Sequence, residues 1–385
     1  MNRLFAFVWL VTIGSNGAEY YSEGAPYQGA VILAGAAYLV FVFQRELVRL
    51  VFFKDYFLVL SMLVLPILLM LLSDRSFERG AYTSYISVTV VFVVASMLAL
   101  RPDLDQTIAL AAFSIVAVGA ALNLYELFVQ NNVWSIAPGR SAGFYVNPTI
   151  SAEALVGYGL AFLLARSAKF SVADLILMSL VVVGVFATFS RAGILASLVL
   201  LPSATLIRAQ RKHMPRIVLG SAAVALLGFA FVSFVVRNLD LSEDATVRVL
   251  SLIESGGVGD YREDRGLTAL ASLEFAMENP LLGAGVGTIY EMPEGPHNMF
   301  LAMMVDYGIV GLIAYLVVII RLILIARGAD RKISGTILFF VAWLVIFSFA
   351  SHNLLGNTAT IPLIGFALAR AYQIQYSRRG RQIEQ

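Results

Sequence analysis

Not one cysteine occurs in the sequence, which excludes a disulfide framework, thiolate metal centres and a cysteine nucleophile. Charge is nearly as sparse: Asp, Glu, Lys and Arg make up 14% of the chain and leave a net charge of +2. That is too little to attract nucleic acid, and no basic stripe with interleaved aromatics offers a path for it. Histidine is confined to His213, His297 and His352, far apart and without the close spacing of a metal-binding pair, so a transition-metal centre has little to build on.

What the chain does have is apolar surface. Of its 385 residues 59% are hydrophobic, with 26 Phe and 16 Tyr, and the mean hydropathy is +0.82. So much apolar area cannot be hidden inside one soluble core. The composition therefore predicts an integral membrane protein, with membrane lipid as its first partner.

A bilayer core of roughly 30 Å calls for apolar runs of about 17 to 25 residues. Twelve runs approach that length, near 3–17, 28–44, 56–73, 82–100, 107–129, 150–166, 173–189, 192–207, 217–236, 297–325, 334–351 and 358–376. They predict an all-α polytopic fold of about 12 transmembrane helices forming one domain over residues 1–385. The first run is short, and its basic start and small-residue end also fit a signal peptide. Basic residues stay on the cytoplasmic side of a span. Arg45, Arg49, Lys54, Arg101, Arg166, Lys169, Arg208, Arg211 and Arg327 fall on one side, and the tail adds Arg378, Arg379 and Arg381. Both termini are thus expected in the cytoplasm. His213, within RAQRKHMPR, belongs to that basic side as a solvated or lipid-facing residue.

The arginines left outside sit in informative surroundings. In GRSAGFYVNP (139–148), Gly139, Gly143 and Pro148 forbid a continuous helix, and Asn147 suits a turn or cap. In TFSRAG (188–193), Arg191 lies between two apolar runs with almost no loop, and either snorkels to headgroups or faces inward. The long outer loop, 237–296, holds two helix-like stretches, 243–255 and 264–279. In the second, Leu267, Leu270, Ala271 and Ala276 recur at helical spacing, with Asp264 as a cap and Asn279-Pro280 as a stop. Both are expected to lie on the bilayer. Arg265 near the start of the second opposes the helix dipole, which points to an anionic partner.

Residues 262–311 gather more chemistry than any other stretch: Arg262, Glu263, Asp264, Arg265, a turn with Gly283, Gly285 and Gly287, the prolines Pro293 and Pro296, and His297. Ionisable groups and backbone breakers cluster in a membrane protein where they meet water and, usually, a ligand. His297, between Pro296 and Asn298, is either a general base or a capping histidine. His352, in SHNLLGN, either touches the acceptor or packs. Asp306 either pairs with an arginine or lines the bundle, while Glu19, Glu23, Asp74 and Glu78 read as rim charges.

Taken together, GRSAGFYVNP, SRAG at 190–193, Arg265 fifteen residues before Pro280 in NPLLGAGVGTIY, and PHNMFLAMMVDYGIVGLIAYL resemble the O-antigen ligase and O-antigen polymerase superfamily over about residues 135–325. GAGVG is no dinucleotide fingerprint, since no βαβ unit surrounds it. The resemblance implies a GT-C-like membrane glycosyltransferase on the periplasmic face of a bacterial inner membrane. Its donor would be a glycan on undecaprenyl diphosphate, its acceptor a saccharide hydroxyl, and no metal or cofactor would be needed. Arg191 and Arg265 match the family's arginines proposed to hold the diphosphate, and His297 matches the histidine of its HN/HS motif. Arg140 and Asn147 match a supportive patterned loop, and Arg262, Asn298 and His352 join them as expected substrate contacts.

The chemistry runs parallel to this. Two guanidiniums can offset the charge that develops on a departing diphosphate, and a neutral imidazole can take the proton of an attacking hydroxyl. The reading favours a ligase with lipid A-core as acceptor. A polymerase extending another lipid-linked chain is the alternative, and a transporter or flippase for the lipid-linked glycan is the alternative of another class. All of it expects Arg191, Arg265 and His297 to converge in one pocket.

Overall fold

Long runs of Leu, Val, Ile and Ala can satisfy their backbone groups in lipid only by coiling, and this sets the architecture. The computed structural model describes residues 2–17, 25–72, 79–130, 133–166, 171–208, 214–238, 261–292, 295–327 and 331–383, and no strand occurs among the described residues. The helices, in chain order, are α1 (Asn2–Gly14), α2 (Ala25–Val51), α3 (Lys54–Leu72), α4 (Arg79–Ala99), α5 (Asp105–Phe128), α6 (Pro148–Ala165), α7 (Val172–Ala187), α8 (Arg191–Arg208), α9 (Met214–Asn238), α10 (Tyr261–Glu278), α11 (Thr288–Glu291), α12 (Met299–Arg327), α13 (Arg331–Ser348) and α14 (Ile361–Ile383).

Among the described residues five stretches are long and apolar enough to cross a membrane: Gly29–Val51, Lys54–Leu71, Pro102–Phe128, Pro148–Ala165 and Met299–Arg327. Shorter apolar helices fall on six more of the twelve expected runs. The last run lies on α14, whose second half carries Arg378, Arg379 and Arg381. The chain is a polytopic membrane protein whose regular structure, over the described residues, is all helical. The expected helix at 243–255 lies outside the described residues, as do Glu19, Glu23, Asp74, Glu78 and His213.

Helix contacts divide the chain into two compact units: Met1–Tyr21 with Asp103–Gly259, and Ser22–Pro102 with Asp260–Gln385. In the first, α6 is the axis. It packs against α5, α7 and α8, and nearly every residue from Pro148 to Ala165 is buried, as befits a helix apolar on all sides. Around it, α1 packs on α5, and α9 on α7 and α8. Arg166 leaves the end of α6 to reach the buried carboxylate of Asp174 at 3.4 Å.

In the second unit, α4 packs against α2, α3 and α14, while α12 packs against α13, α10 and α3. Asp55 and Arg321 form a two-pronged ion pair between α3 and α12, with Nε–Oδ1 at 2.6 Å and Nη2–Oδ2 at 3.2 Å. Arg101 reaches the buried Glu46 at 3.3 Å and lies over the Phe43 ring. Outside the ion-paired rim, α10 buries Ala276 against Ile289, Ala302 and Val305. Its Leu267, Leu270 and Met277 are exposed, the disposition expected of a helix resting on lipid.

Candidate functional site

In the first unit the loop between α5 and α6 is built around one buried carboxylate. Glu126 sits two residues before the end of α5. Its Oε1 accepts the backbone N–H groups of Trp134 (2.9 Å) and Ser135 (2.6 Å), and its Oε2 those of Ala142 (2.7 Å) and Gly143 (3.0 Å). Four charge-assisted bonds offset the burial of the charge and fix the chain from 134 to 143. The loop then makes a single 3₁₀ turn, Gly143–Tyr145. It re-enters the helix through Pro148 at the first helical position, with Asn147 as N-cap accepting from Thr149 N at 2.9 Å. Its free edge is tied to α1: Tyr145 Oη donates to Gly14 O (2.7 Å) and Asn16 Nδ2 to Phe144 O (2.9 Å). Burial raises the Tyr145 phenol and keeps it a neutral donor.

The same loop grips the α7–α8 turn. Arg140 Nε donates to Thr188 O at 2.9 Å, and Ser141 N to Ala187 O at 3.2 Å. Within the turn Phe189 takes a positive φ of 49°, and Ser190 Oγ accepts from Gly193 N at 3.3 Å to cap α8. Arg191 opens α8 and is exposed. A cation in the first helical turn opposes the dipole, so an anion is the partner this position favours. The structure thus joins the two arginine motifs of this unit, GRSAGFYVNP and SRAG.

In the second unit the organising feature is a break in a membrane helix. The run 297–325 reads as continuous, yet α12 is interrupted at Gly308, with φ 63° and ψ −159°, a conformation essentially closed to residues with a Cβ. The glycine-rich turn after α10 docks into that break. Ala284 N donates to Val305 O (2.8 Å), Ile309 N to Pro280 O (2.8 Å) and Val310 N to Leu281 O (3.4 Å). A Cβ on Gly308 would lie 2.4 Å from the Leu281 carbonyl, and one on Gly283 2.5 Å from the backbone at 306–307. The buried Asp306, two residues before the break, accepts from Gly287 N and Ile289 N, both at 3.2 Å. It therefore orients α11. An apolar crevice of about 520 Å³ lies alongside, lined by Met62, Leu65 and Leu69 of α3, by Leu282 and Val286 of the turn, and by Asp306 and Tyr307.

His297 follows, between the buried Pro296 and the half-buried Asn298. Asn298 is the cap of α12: its Oδ1 accepts from Phe300 N (2.9 Å) and Leu301 N (3.2 Å). His297 is held at φ 46°, a left-handed conformation uncommon outside glycine. Its ring centroid lies 5.6 Å from that of His352, with the ring planes at 60°. Gly295 stands against the His352 ring, near enough that a Cβ there would come within 2.8 Å of Cε1 and Nε2. Burial first, and the charge of His297 second, lower the His352 pKa to about 4.

The expected site residues therefore divide. Arg140, Asn147 and Arg191 belong to the first unit, and Arg262, Arg265, His297, Asn298 and His352 to the second. Asn147 and Asn298 use their side-chain oxygens as helix caps. Arg262 and Arg265 lie on α10, with side chains outside the described residues. One local expectation is corrected: α10 begins at Tyr261 rather than after Asp264. Asp264 is accordingly inside the helix rather than at its cap position, and Arg265 stands past the first turn, where the dipole is weaker. Among the described residues no three of His, Asp and Glu are grouped as metal ligands.

Two organising residues escaped the sequence reading. Glu126, a lone acid within the run 107–129, is a signal in itself, since an ionisable group inside a membrane segment needs a reason. Gly308 carried no such signal within an apolar run.

Residues 176–316 match the family described as O-antigen ligase. No curated protein matches the chain. A solved chain from work on the structural coordination of polymerization and crosslinking by a peptidoglycan synthase complex is similar at 16% identity, over 83% of this chain and 97% of that one, with a TM-score of 0.44. That superposition is too loose to bear on the fold.

Proposed function

Since residues 176–316 match the O-antigen ligase family, we propose that this membrane protein is a glycosyltransferase. It moves a glycan from undecaprenyl diphosphate to a saccharide acceptor, with lipid A-core the acceptor favoured. The observation that carries this reading is the family match itself, whose span contains Arg191, Arg265 and His297. In the reaction the acceptor hydroxyl attacks the anomeric carbon, the bond to the diphosphate oxygen breaks, and the electron pair leaves with the diphosphate. His297 takes the hydroxyl proton, and Arg191 and Arg265 offset the charge gathered on the leaving group. Arg140, Asn147, Arg262 and Asn298 support binding. The work is done at the periplasmic face of the inner membrane, with both termini in the cytoplasm.

A polymerase would share the donor half of this chemistry. The break in α12 bears on the transporter reading, because discontinuous helices line translocation paths. Here, however, the turn at 280–287 occupies the break through backbone hydrogen bonds.

Purified protein given lipid-linked oligosaccharide and lipid A-core in a chelator should form a glycosidic product. His297→Ala should abolish product while donor binding persists; product that survives the substitution removes His297 as the base. Arg191→Ala and Arg265→Ala should weaken donor binding and turnover together, by roughly 10²-fold or more each in kcat/KM. A deletion strain separates the acceptors. Polymer stranded on its carrier marks a ligase, and single-repeat products mark a polymerase.

A further inference from the structure

His297 and His352 come from loops 55 residues apart in sequence, at the head of α12 and after α13, yet their rings meet. A centroid separation of 5.6 Å is short enough for a hydrogen bond between ring nitrogens to form once the two imidazoles turn toward each other. The His352 ring is backed by Gly295, two residues before His297, so the loop carrying one imidazole also fixes the position of the other. His352 Nδ1 is buried and has no hydrogen-bond partner among the described residues. A buried polar atom without a partner is costly, and an interaction formed only during function is one reason to keep it.

Resting on the reading of His297 as the base, we propose that His352 is its positioning residue: a neutral imidazole that accepts a hydrogen bond from His297 once His297 has taken the acceptor's proton. The exchange balances. The hydroxyl proton moves to His297 as the oxygen bonds to carbon, the other ring N–H of the new imidazolium points to the lone pair of His352, and the second imidazole gains no proton of its own. His352 is suited to this because it stays neutral down to about pH 4, so the pair carries one charge rather than two. A carboxylate orienting a histidine base does a similar job, but the imidazole adds no negative charge beside a diphosphate.

The test uses the full chain in detergent, labelled with ¹⁵N-histidine. His213→Gln removes the one remaining histidine, which lies in the basic loop away from this pair in sequence. As pH falls through the His297 midpoint, the His352 Nδ1 resonance should move with it. In His352→Phe, which keeps a ring beside Gly295 and loses the lone pair, the His297 midpoint should drop by about one pH unit, since the charged form has lost its acceptor. In turnover, His352→Phe should lower kcat about 10- to 100-fold with KM nearly unchanged. His352→Gln, whose amide oxygen can accept the same bond, should recover most of the loss.

A His352 resonance that stays still through the His297 titration overturns the proposal without any substitution at 352. So does a His352→Phe variant that folds, by its thermal unfolding midpoint, and keeps both the His297 midpoint and kcat. If His297→Ala remains active, the base assignment fails, and the titration still reports whether the two rings are coupled.

Discussion

Two loops of this molecule are organised by a buried carboxylate that collects backbone amides, and they differ in how tightly it does so. Glu126 takes four N–H groups, from residues 134, 135, 142 and 143, and the loop is further tied to α1 and to the α7–α8 turn. Asp306 takes two, from Gly287 and Ile289, both longer. It reaches back from a broken helix instead of forward from an intact one. The first loop is pinned along its length. The second is gripped at its two ends, by Asp306 and by the Asn298 cap, and His297 with its positive φ lies beside the second grip. One carboxylate builds a frame, and the other aims a short segment at the place where chemistry is proposed.

Breaking the second device at its root should have the largest effect. Gly308→Ala puts a Cβ at φ 63° and into the Leu281 carbonyl. Neither backbone can yield without undoing the docking of the turn, so a loss of about 3 kcal/mol or more is expected, read as a collapse of the thermal unfolding midpoint in detergent. A stable Gly308→Ala protein would mean that the break is not needed.

Glu126→Gln comes next. The amide nitrogen would face backbone N–H donors in a buried site, leaving two of the four amides unsatisfied, at roughly 3 kcal/mol. Because the frame carries Arg140 and the approach to Arg191, donor binding should weaken along with stability. Unchanged stability would show that the four bonds are not collected by the charge.

How far these devices could be read in advance depended on whether side chains announce them. The membrane class, the Asn147-Pro148 start of α6 and the Asn279-Pro280 stop of α10 follow from hydropathy and from residues that restrict the backbone. The break at Gly308 does not, because MMVDYGIVGLI reads as part of one membrane run despite Asp306 and hydropathy is blind to torsion; its cause is a turn that arrives from 25 residues upstream. Glu126 was visible as an anomaly, but its partners are amides, which every residue possesses. The imidazole pair needed the fold, since nothing local links a loop before α12 to one after α13. The start of α10 was misplaced because Tyr261, Arg262 and Glu263 extend a helix as readily as they precede one.

A smaller effect follows from pH. His352 has its pKa lowered to about 4 in the folded chain, against about 6.5 when unfolded. Above pH 6.5 both states hold it neutral and it contributes nothing to pH dependence. Below that, the unfolded chain takes the proton and the folded one does not, so stability falls progressively until pH 4. At pH 5 the loss is about 2 kcal/mol. Carboxylates titrate over the same range, so the informative quantity is the difference from His352→Phe, which should lose less between pH 7 and 5. Parallel curves for the two proteins would mean that His352 is not held neutral by its surroundings.

The smallest change in stability is expected at Asp306, and it is the one that sharpens the contrast between the two loops. Asp306→Asn keeps one oxygen, enough for Gly287 N or Ile289 N but not both, so one weak bond is lost at about 1 kcal/mol. The consequence for turnover should be larger than that figure implies. The lost bond frees the start of the segment that leads to His297, and a base misplaced by an ångström can cost about 10²-fold in rate. The variant should therefore melt near the wild type and bind donor normally, yet turn over slowly, whereas Glu126→Gln should lose stability and binding together. If Asp306→Asn instead loses stability and turnover in the same proportion as Glu126→Gln, both carboxylates are merely structural, and the distinction between a frame and an aimed segment fails.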